Sequence, residues 1–287
     1  MTFEYPANLA DLRHDPGGEQ WVRDLPTLVR DAANAWNLRV SAAYSLSHVS
    51  YTAPAVTLDG DDVVLKVQFP HRESEHEAEA LRVWDGDGAV RLLAHDAERH
   101  VLLLERCIPG DSLQTLAPND AVDVYCDLLP RLWKPTDLAI GTLAKEAEHW
   151  ADTLVANWKA AGRSVPEMWI ERGVELCRSL GPAQREAVLL HQDLHADNVL
   201  RAQREPWLVI DPKPLLGERE FSVASIVRSN ELGHSRAAMW HRFDRLCDGL
   251  NLDRDRAWGW TFAQTLAWGL DASLTRHHDT LRWLLNG

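Results

Sequence analysis

The sequence predicts an α+β protein in two lobes. Residues 1–106 are expected to form a small antiparallel-sheet N-lobe, preceded by an N-terminal extension, and residues 107–287 a larger, mainly helical C-lobe. Length is the first support: 287 residues exceed what one compact core needs and leave room for two. The second is a change of texture near residue 110, from β-rich runs to apolar side chains at helical steps. The third is a crowded polar stretch, "LLHQDLHADNVL" (189–200), set between apolar runs inside the helical half.

In the N-lobe, "YTAPAVTLDGDDVVLKVQFP" holds two β-rich runs joined by "DGDD", a hairpin signal. "RESEHEAEALRVWDGDG" predicts a helix stopped by Gly86 and Gly88. "AVRLLAHDAERHVLLLERCIPG" gives two more strands, the second ending at Pro109-Gly110, near a hinge at 105–110. One helix on a small antiparallel sheet is the result. In the C-lobe, Leu143, Ala147, Trp150, Leu154 and Trp158 recur at steps of three and four, one apolar face of a long helix. "PEMWIERGVELCRSLG" continues helical, with Gly181 as its C-cap. The segment 187–214 then reads strand, polar loop, short strand, turn, strand, loop. Beyond it three apolar-periodic segments return to helix, and the tryptophans at helical spacing there read as core.

Composition narrows the function. A formal charge of −13 argues against a nucleic-acid partner and suits a cationic ligand, although an acidic surface also serves solubility alone. The four cysteines, at 107, 126, 177 and 247, offer no metal-type pair and read as thiols in a reducing compartment. The N-terminal stretch has no basic start and no signal-length apolar run, and no window approaches a membrane span. The expectation is a cytoplasmic protein without a membrane partner.

Burying polar groups costs free energy unless partners satisfy them, so the stretch at 189–200 is a solvated turn or a site. It carries His191-x-Asp193 and, five residues later, Asn198; Asp211 follows at the end of the apolar strand "WLVI". Phosphoryl transfer from ATP uses these residue types in this order. The first aspartate takes or orients the proton of an attacking hydroxyl. The asparagine oxygen and the second aspartate hold Mg²⁺, a hard ion that prefers oxygen ligands. The same chemistry needs an upstream strand lysine for the α- and β-phosphates, and "DDVVLKVQFP" supplies Lys66. A helix carboxylate should hold that lysine, from among Glu73, Glu75, Glu77 and Glu79; Glu77 is favoured because Ala80, Leu81 and Trp84 mark the buried side.

"LLHQDLHADNVL" together with "WLVIDPK" resembles the antibiotic-phosphotransferase branch of the protein-kinase-like fold. "GAVRLL", "LLLERCIPGDSL" and "VLRAQREPWLVIDPKPLLGE" are similar to the streptomycin-6-kinase-like and hydroxyurea-resistance kinases. The similarity runs from about residue 40 to about 230. It implies a bilobal, ATP-dependent O-phosphotransferase acting on a small-molecule hydroxyl: streptomycin, another aminocyclitol or hydroxyurea. Asp193 would be the catalytic base, Asn198 and Asp211 the Mg²⁺ ligands, and Lys66 and Glu77 the phosphate-binding pair. Glu105 to Cys107 would offer backbone groups to adenine.

Three departures from the family pattern stand out. Gln192 replaces the glycine after the loop histidine, and Asp197 replaces the glycine before the metal asparagine. Phe221-Ser222 replaces a Tyr-Asp pair whose acid supports the catalytic loop. The nucleotide-covering loop "YSLSHVSYTAP" also lacks glycine. Lys213 reads as a surface lysine, Asp197 as solvated or loop-capping, and His191 as a structural brace; His195 could contact either phosphate or the loop backbone. Other readings stay open: a kinase for a sugar or metabolite, a non-catalytic nucleotide binder, or a metallohydrolase using the alternate residues His191, Asp193, His195 and Asp197.

Overall fold

The computed structural model describes residues 4–45, 49–72 and 75–286. Its backbone contacts divide the chain into two compact units: Met1–Gly110 with Ala202–Arg204, and Asp111–Arg201 with Glu205–Gly287.

The first is the sheet unit. Helix α1 (Gly18–Ala35) precedes strands β1 (Arg39–Val40), β2 (Ser50–Val56) and β3 (Asp62–Gln68); helix α2 (Glu77–Trp84) precedes β4 (Leu92–Asp96) and β5 (Val101–Glu105). The strands form one antiparallel sheet in the order β1-β2-β3-β5-β4. The β2–β3 hairpin runs in register from Ser50↔Gln68 to Val56↔Asp62, as "DGDD" leads one to expect. Side chains alternate across a strand. Leu65 and Val67 enter a core shared with Trp21, Val22, Leu25 and Val29, so Lys66 between them turns to the opposite face.

The N-terminal extension contributes more than the sequence reading gave it. Trp21, Val22, Leu25, Val29 and Ala32 make one buried stripe of α1, and the Trp21 indole donates to the Gln68 carbonyl at 3.0 Å. Gly18 starts that helix where a Cβ would stand 1.7 Å from the Leu12 carbonyl oxygen. Helix α2 begins at Glu77 and stops where Asp85 turns left-handed (φ 46°), one residue before the expected Gly86. Strand β5 ends at Glu105, short of Pro109-Gly110, and the Ile108–Pro109 bond is cis.

The second is the helical unit. Helices α3 (Pro118–Leu132), α4 (Leu143–Ala160) and α5 (Glu167–Leu180) lead to strands β6 (Val188–Leu190), β7 (Val199–Arg201), β8 (Trp207–Val209) and β9 (Leu215–Gly217). Helices α6 (Val223–Arg228), α7 (Arg236–Leu250), α8 (Arg254–Trp268) and α9 (Thr275–Leu285) follow. Sequence reading missed α3, although Pro118 sits in its first turn, where a missing N–H costs nothing. Helix α4 is capped as its sequence allows, the Thr142 hydroxyl accepting from the Lys145 N–H. Helix α5 does end at Gly181, but with helical dihedrals (φ −53°, ψ −55°) rather than a left-handed turn. Crowding asks for glycine there: a Cβ would lie 2.9 Å from the Cys177 carbonyl oxygen and 3.1 Å from the Ala147 Cβ.

Helix α8 is the spine, packing on α5, α6 and α9. Its fully buried Trp260 stands edge-on to Phe221 at 5.7 Å and donates to the buried Glu218 carboxylate, which Arg256 also grips at 2.6 Å. Of the tryptophans in the C-terminal helices only Trp260 is fully core; Trp240, Trp258, Trp268 and Trp283 are half-buried, while Trp150, Trp158 and Trp169 of α4 and α5 are buried. Among the described residues, no helix is long and apolar enough to cross a membrane.

Candidate active site

Two short hairpins build the polar loops. β6 pairs with β9 (Leu190↔Leu215) and β7 with β8 (Val199↔Val209), both antiparallel. The chain leaves β6 into residues 191–198 and enters β7; it leaves β8 into residues 210–214 and enters β9. Pairing of those strand ends therefore lays the two loops side by side. Three bonds tie them: His191 Nε2 to the Ile210 carbonyl (2.8 Å), the Lys213 N–H to the His191 carbonyl (3.0 Å), and the Ile210 N–H to the Asn198 carbonyl (3.0 Å). A carbonyl only accepts, so His191 carries its hydrogen on Nε2. Burial pushes this imidazole down to about 4, against the Ile210 carbonyl and the nearby aspartates, and it stays neutral as a brace.

Two residues in these loops hold left-handed backbone that favours glycine: Gln192 (φ 67°) and Asp211 (φ 55°). The first explains why a glycine is at home at 192. The loop is held from outside by two helices and from within by its own asparagine. Gln264 of α8 donates to the Gln192 carbonyl (3.1 Å), Ser225 of α6 to the Leu194 carbonyl (3.1 Å), and the Asn198 amide nitrogen to the Asp193 carbonyl (2.8 Å). Loop support thus comes from Ser225 and Gln264, while Ser222 accepts from the Trp133 indole (2.9 Å). Asp197 is neither solvated nor idle: its Oδ1 accepts from the Ser112 hydroxyl and the Gln114 amide, both at 2.7 Å.

Asp193 is the most charged point of the loop. Lys213 Nζ lies 2.8 Å from its Oδ2, and Arg228 Nη2 3.4 Å from its Oδ1. Burial raises this carboxyl, but Lys213, Arg228 and His195 outweigh burial and leave it below its ordinary value. Lys213 is no surface lysine: its side chain is 22% exposed and sits on this carboxylate. Both cations also lie over the Trp268 ring, Lys213 Nζ at 5.4 Å and Arg228 Cζ at 4.6 Å from its centroid. Arg228, Trp268 and Glu231 were not singled out from sequence. The contacts of Arg228 with Asp193, Glu231 with His195 and Trp268 with Lys213 and Arg228 are tertiary, whereas the lysine of "DPKP" could have been found as a cation on the Asp211 loop.

A cavity of about 450 Å³ opens beside Asp193, walled also by His195, Arg228, Glu231 and His277. Glu231 Oε1 lies 3.3 Å from His195 Nδ1, a pairing by charge rather than a formed hydrogen bond. Burial lowers the His195 imidazole, but Glu231, Asp193 and Asp197 raise it above its usual value; burial likewise works against Glu231, which His195 and Ser229 bring down to about 2. The loop bearing Glu231 is framed by buried Arg242, which donates to the carbonyls of Ile226, Val227, Ser229 and Leu232 at 2.9–3.2 Å. The alternate-residue metal reading finds little here. Among the described residues, the histidine and carboxylate atoms that converge within 4.8 Å are those of His195, Asp197 and Glu231, without His191 or Asp193.

In the sheet unit, Lys66 Nζ lies 2.6 Å from Glu77 Oε2, with side chains 6% and 1% exposed, and Gln68 donates to the same oxygen at 2.7 Å. Glu79 pairs with Arg82 instead (3.5 Å), and Glu73 lies outside the described residues, as does part of the glycine-poor loop at 46–48. The Glu105 carboxylate is occupied by Arg204 (2.8 and 2.9 Å) and the Arg91 N–H (3.0 Å), and its own N–H donates to the Arg91 carbonyl. Burial pushes the Cys107 thiol up to about 12, so it is no nucleophile.

The donor set at the loop ends fits a hard divalent cation. With the Asn198 amide nitrogen committed to Asp193, its oxygen is the remaining branch, and the β7–β8 pairing puts the Asp211 carboxylate at the same hairpin end. Solved structures share this architecture. A choline kinase from Streptococcus pneumoniae matches with TM-score 0.64 at 12% identity, covering 92% of this chain and 99% of that one. A thermostable mutant of aminoglycoside phosphotransferase APH(4)-Ia, solved with AMP-PNP and hygromycin B, matches with TM-score 0.61 at 15% identity, covering 88% and 97%. The fold is that of the protein-kinase-like small-molecule phosphotransferases.

The sequence comparisons narrow that class. Residues 35–273 match the family model described as aminoglycoside/hydroxyurea antibiotic resistance kinase, and the chain belongs to that family. It is 35% identical to a streptomycin 6-kinase of Streptomyces griseus over 94% of this chain and 92% of that protein. It is 37% identical to a hydroxyurea phosphotransferase of Kitasatospora aureofaciens over 92% and 79%.

Proposed function

We propose that the protein transfers the γ-phosphate of ATP, as its Mg²⁺ complex, to a hydroxyl of streptomycin or a closely related aminocyclitol. One observation carries the reading: Asp193 lines the cavity and its carbonyl holds Asn198, so the acceptor space and the candidate metal ligand meet at one residue. Lys66, held by Glu77, orients the α- and β-phosphates from a nucleotide-binding N-lobe that runs to about residue 106. Backbone groups of Glu105 to Cys107 take adenine. Asn198 and Asp211 would hold Mg²⁺, which would offset phosphate charge. Asp193 orients the acceptor hydroxyl and receives its proton, and catalysis is positioning and electrostatics rather than covalent chemistry. Glu231 and the acidic loop suit a cationic acceptor. Four free cysteines fit a cytoplasmic enzyme.

The test is ADP release with MgATP across streptomycin, other aminoglycosides, hydroxyurea and common sugars. Release that depends on streptomycin and disappears in Asp193→Ala is the expected result. Hydroxyurea is the second reading, favoured by the relative that bears its name, but the 450 Å³ cavity has far more room than so small a molecule fills. ATP binding with no turnover on any acceptor would leave a nucleotide-binding protein instead.

A further inference from the structure

Around the end of the 191–198 loop, three polar atoms are buried without a hydrogen-bond partner: His195 Nδ1, Glu231 Oε2 and the Tyr125 hydroxyl. Buried polar groups are almost always paired, so three together ask for a cause. His195 enters the 3-10 turn Ala196–Asn198 with extended backbone (φ −109°, ψ 174°), and Asp197 follows two residues on. Glu231 comes from the segment that Arg242 frames. One ligand-type atom from each of His195, Asp197 and Glu231 lies within 4.8 Å of the other two. His195 Nδ1 and Glu231 Oε1 are 3.3 Å apart, yet they form no hydrogen bond. That distance is about what two atoms bound to one tetrahedral ion need, with bonds of roughly 2.0–2.2 Å. Asp197 spends Oδ1 on Ser112 and Gln114 and keeps its second oxygen. Tyr125 of α3 is fully buried. Burial raises its hydroxyl pKa well above the usual value; Glu231 adds to this, Arg242 opposes it and Asp197 adds least, so the hydroxyl sits among the same charges.

We propose that His195, Asp197 and Glu231 bind a transition-metal dication of the zinc type, with the Tyr125 hydroxyl as a supporting donor behind the carboxylates. One imidazole and two carboxylates are a mixed nitrogen and oxygen set. It suits zinc, cobalt or nickel better than Mg²⁺, which takes oxygen ligands. Such an ion bonds at shorter range than a water molecule hydrogen-bonds, so it can satisfy atoms that water does not reach. The charges agree as well, two carboxylates facing one dication. His195 and Glu231 also line the cavity, so a fourth ligand has a way in. Filled, the site ties the 191–198 loop to the wall that Arg242 frames. It is separate from the Mg²⁺ position proposed at Asn198 and Asp211, and it stands or falls independently of the kinase reading.

The experiment titrates the full-length protein with Co²⁺ and then Zn²⁺ in excess Mg²⁺, which covers the Asn198–Asp211 position. Co²⁺ among these ligands should show visible bands without a thiolate band, and Zn²⁺ should bleach them. One ion per chain is expected, with a melting temperature that rises with Zn²⁺ concentration. His195→Gln and Glu231→Gln should lose the bands while still melting cooperatively. Tyr125→Phe should weaken binding about 10-fold, the effect of a group that supports a ligand. Anomalous scattering at the zinc edge from wild-type crystals checks the place without any variant, and a peak between His195, Asp197 and Glu231 is expected. An ordinary water at that point, a zinc peak only at other residues, or bands that survive in both ligand variants overturns the proposal. Half-saturation reached only at millimolar Zn²⁺ marks adventitious binding and overturns it as well.

Discussion

Two clusters of charge, one in each unit, hold the candidate site residues, and they are built in opposite ways. Lys66–Glu77 joins a strand to the first turn of a helix, one cation to one anion, almost wholly out of water. Asp193 sits in a loop and meets two cations on an aromatic platform, at the edge of a cavity. In the first, position is fixed by regular elements, and each charge is satisfied before any ligand comes. In the second, the frame is a set of single hydrogen bonds to loop carbonyls. Regular elements hold the first pair rigidly, whereas the second depends on how the loop around it is held.

The contrast predicts where damage falls. Asp193→Ala should cut kcat on the order of a thousand-fold, with ATP affinity within a few-fold by calorimetry. A variant that kept a tenth of wild-type kcat would remove Asp193 from the chemistry and erase the contrast. Glu77→Ala should act on stability, because it takes the carboxylate from a buried lysine: a loss of about 3–5 kcal/mol by urea unfolding. A loss within a few tenths would show the pair to be as loose as a surface one.

The third prediction concerns pH. Unfolded, His191 titrates near 6.5; folded, near 4, because burial disfavours its charge. The unfolded chain therefore takes up this proton first as pH falls. The stabilisation is full above about 6.5 and is lost as pH drops toward 4, on the order of 3 kcal/mol in all. His191→Gln should flatten that slope in urea midpoints measured from pH 7 to 4.5, and an unchanged slope would assign the acid sensitivity to other groups. The smallest effect is expected at Gln192, whose φ of 67° strains a side-chain-bearing residue. Gln192→Gly should stabilise by up to about 1 kcal/mol, read as a rise in urea midpoint; a drop would mean the buried side chain contributes more than the strain costs.

Legibility in the sequence followed the range of the interactions. The β2–β3 hairpin, the apolar face of α4 and the alternation of strand and polar loop at 187–214 are local patterns, and they appear where periodicity puts them. Helix α1 had its stripe too, but it starts at Gly18 and carries Pro26, residue types that disfavour helix. Strand β9 is three residues long and exists through its pairing with β6 and a bridge from Leu216 to Thr142, so no period announces it. Asp193, Asn198 and Asp211 stand out by residue type and spacing. Arg228, Trp268 and Glu231 do not, since an arginine at a helix end, a tryptophan in a helix and a glutamate in a turn are each ordinary alone. What distinguishes them is the carboxylate, platform or imidazole they meet from far along the chain.

The Arg242 frame bears on how such an enzyme changes partners over time. It grips the segment from Ile226 to Leu232 solely through main-chain oxygens, so the shape of that wall does not depend on which side chains it displays. Replacements at Asn230 or Glu231 can alter what the cavity attracts without asking the fold to relearn its course.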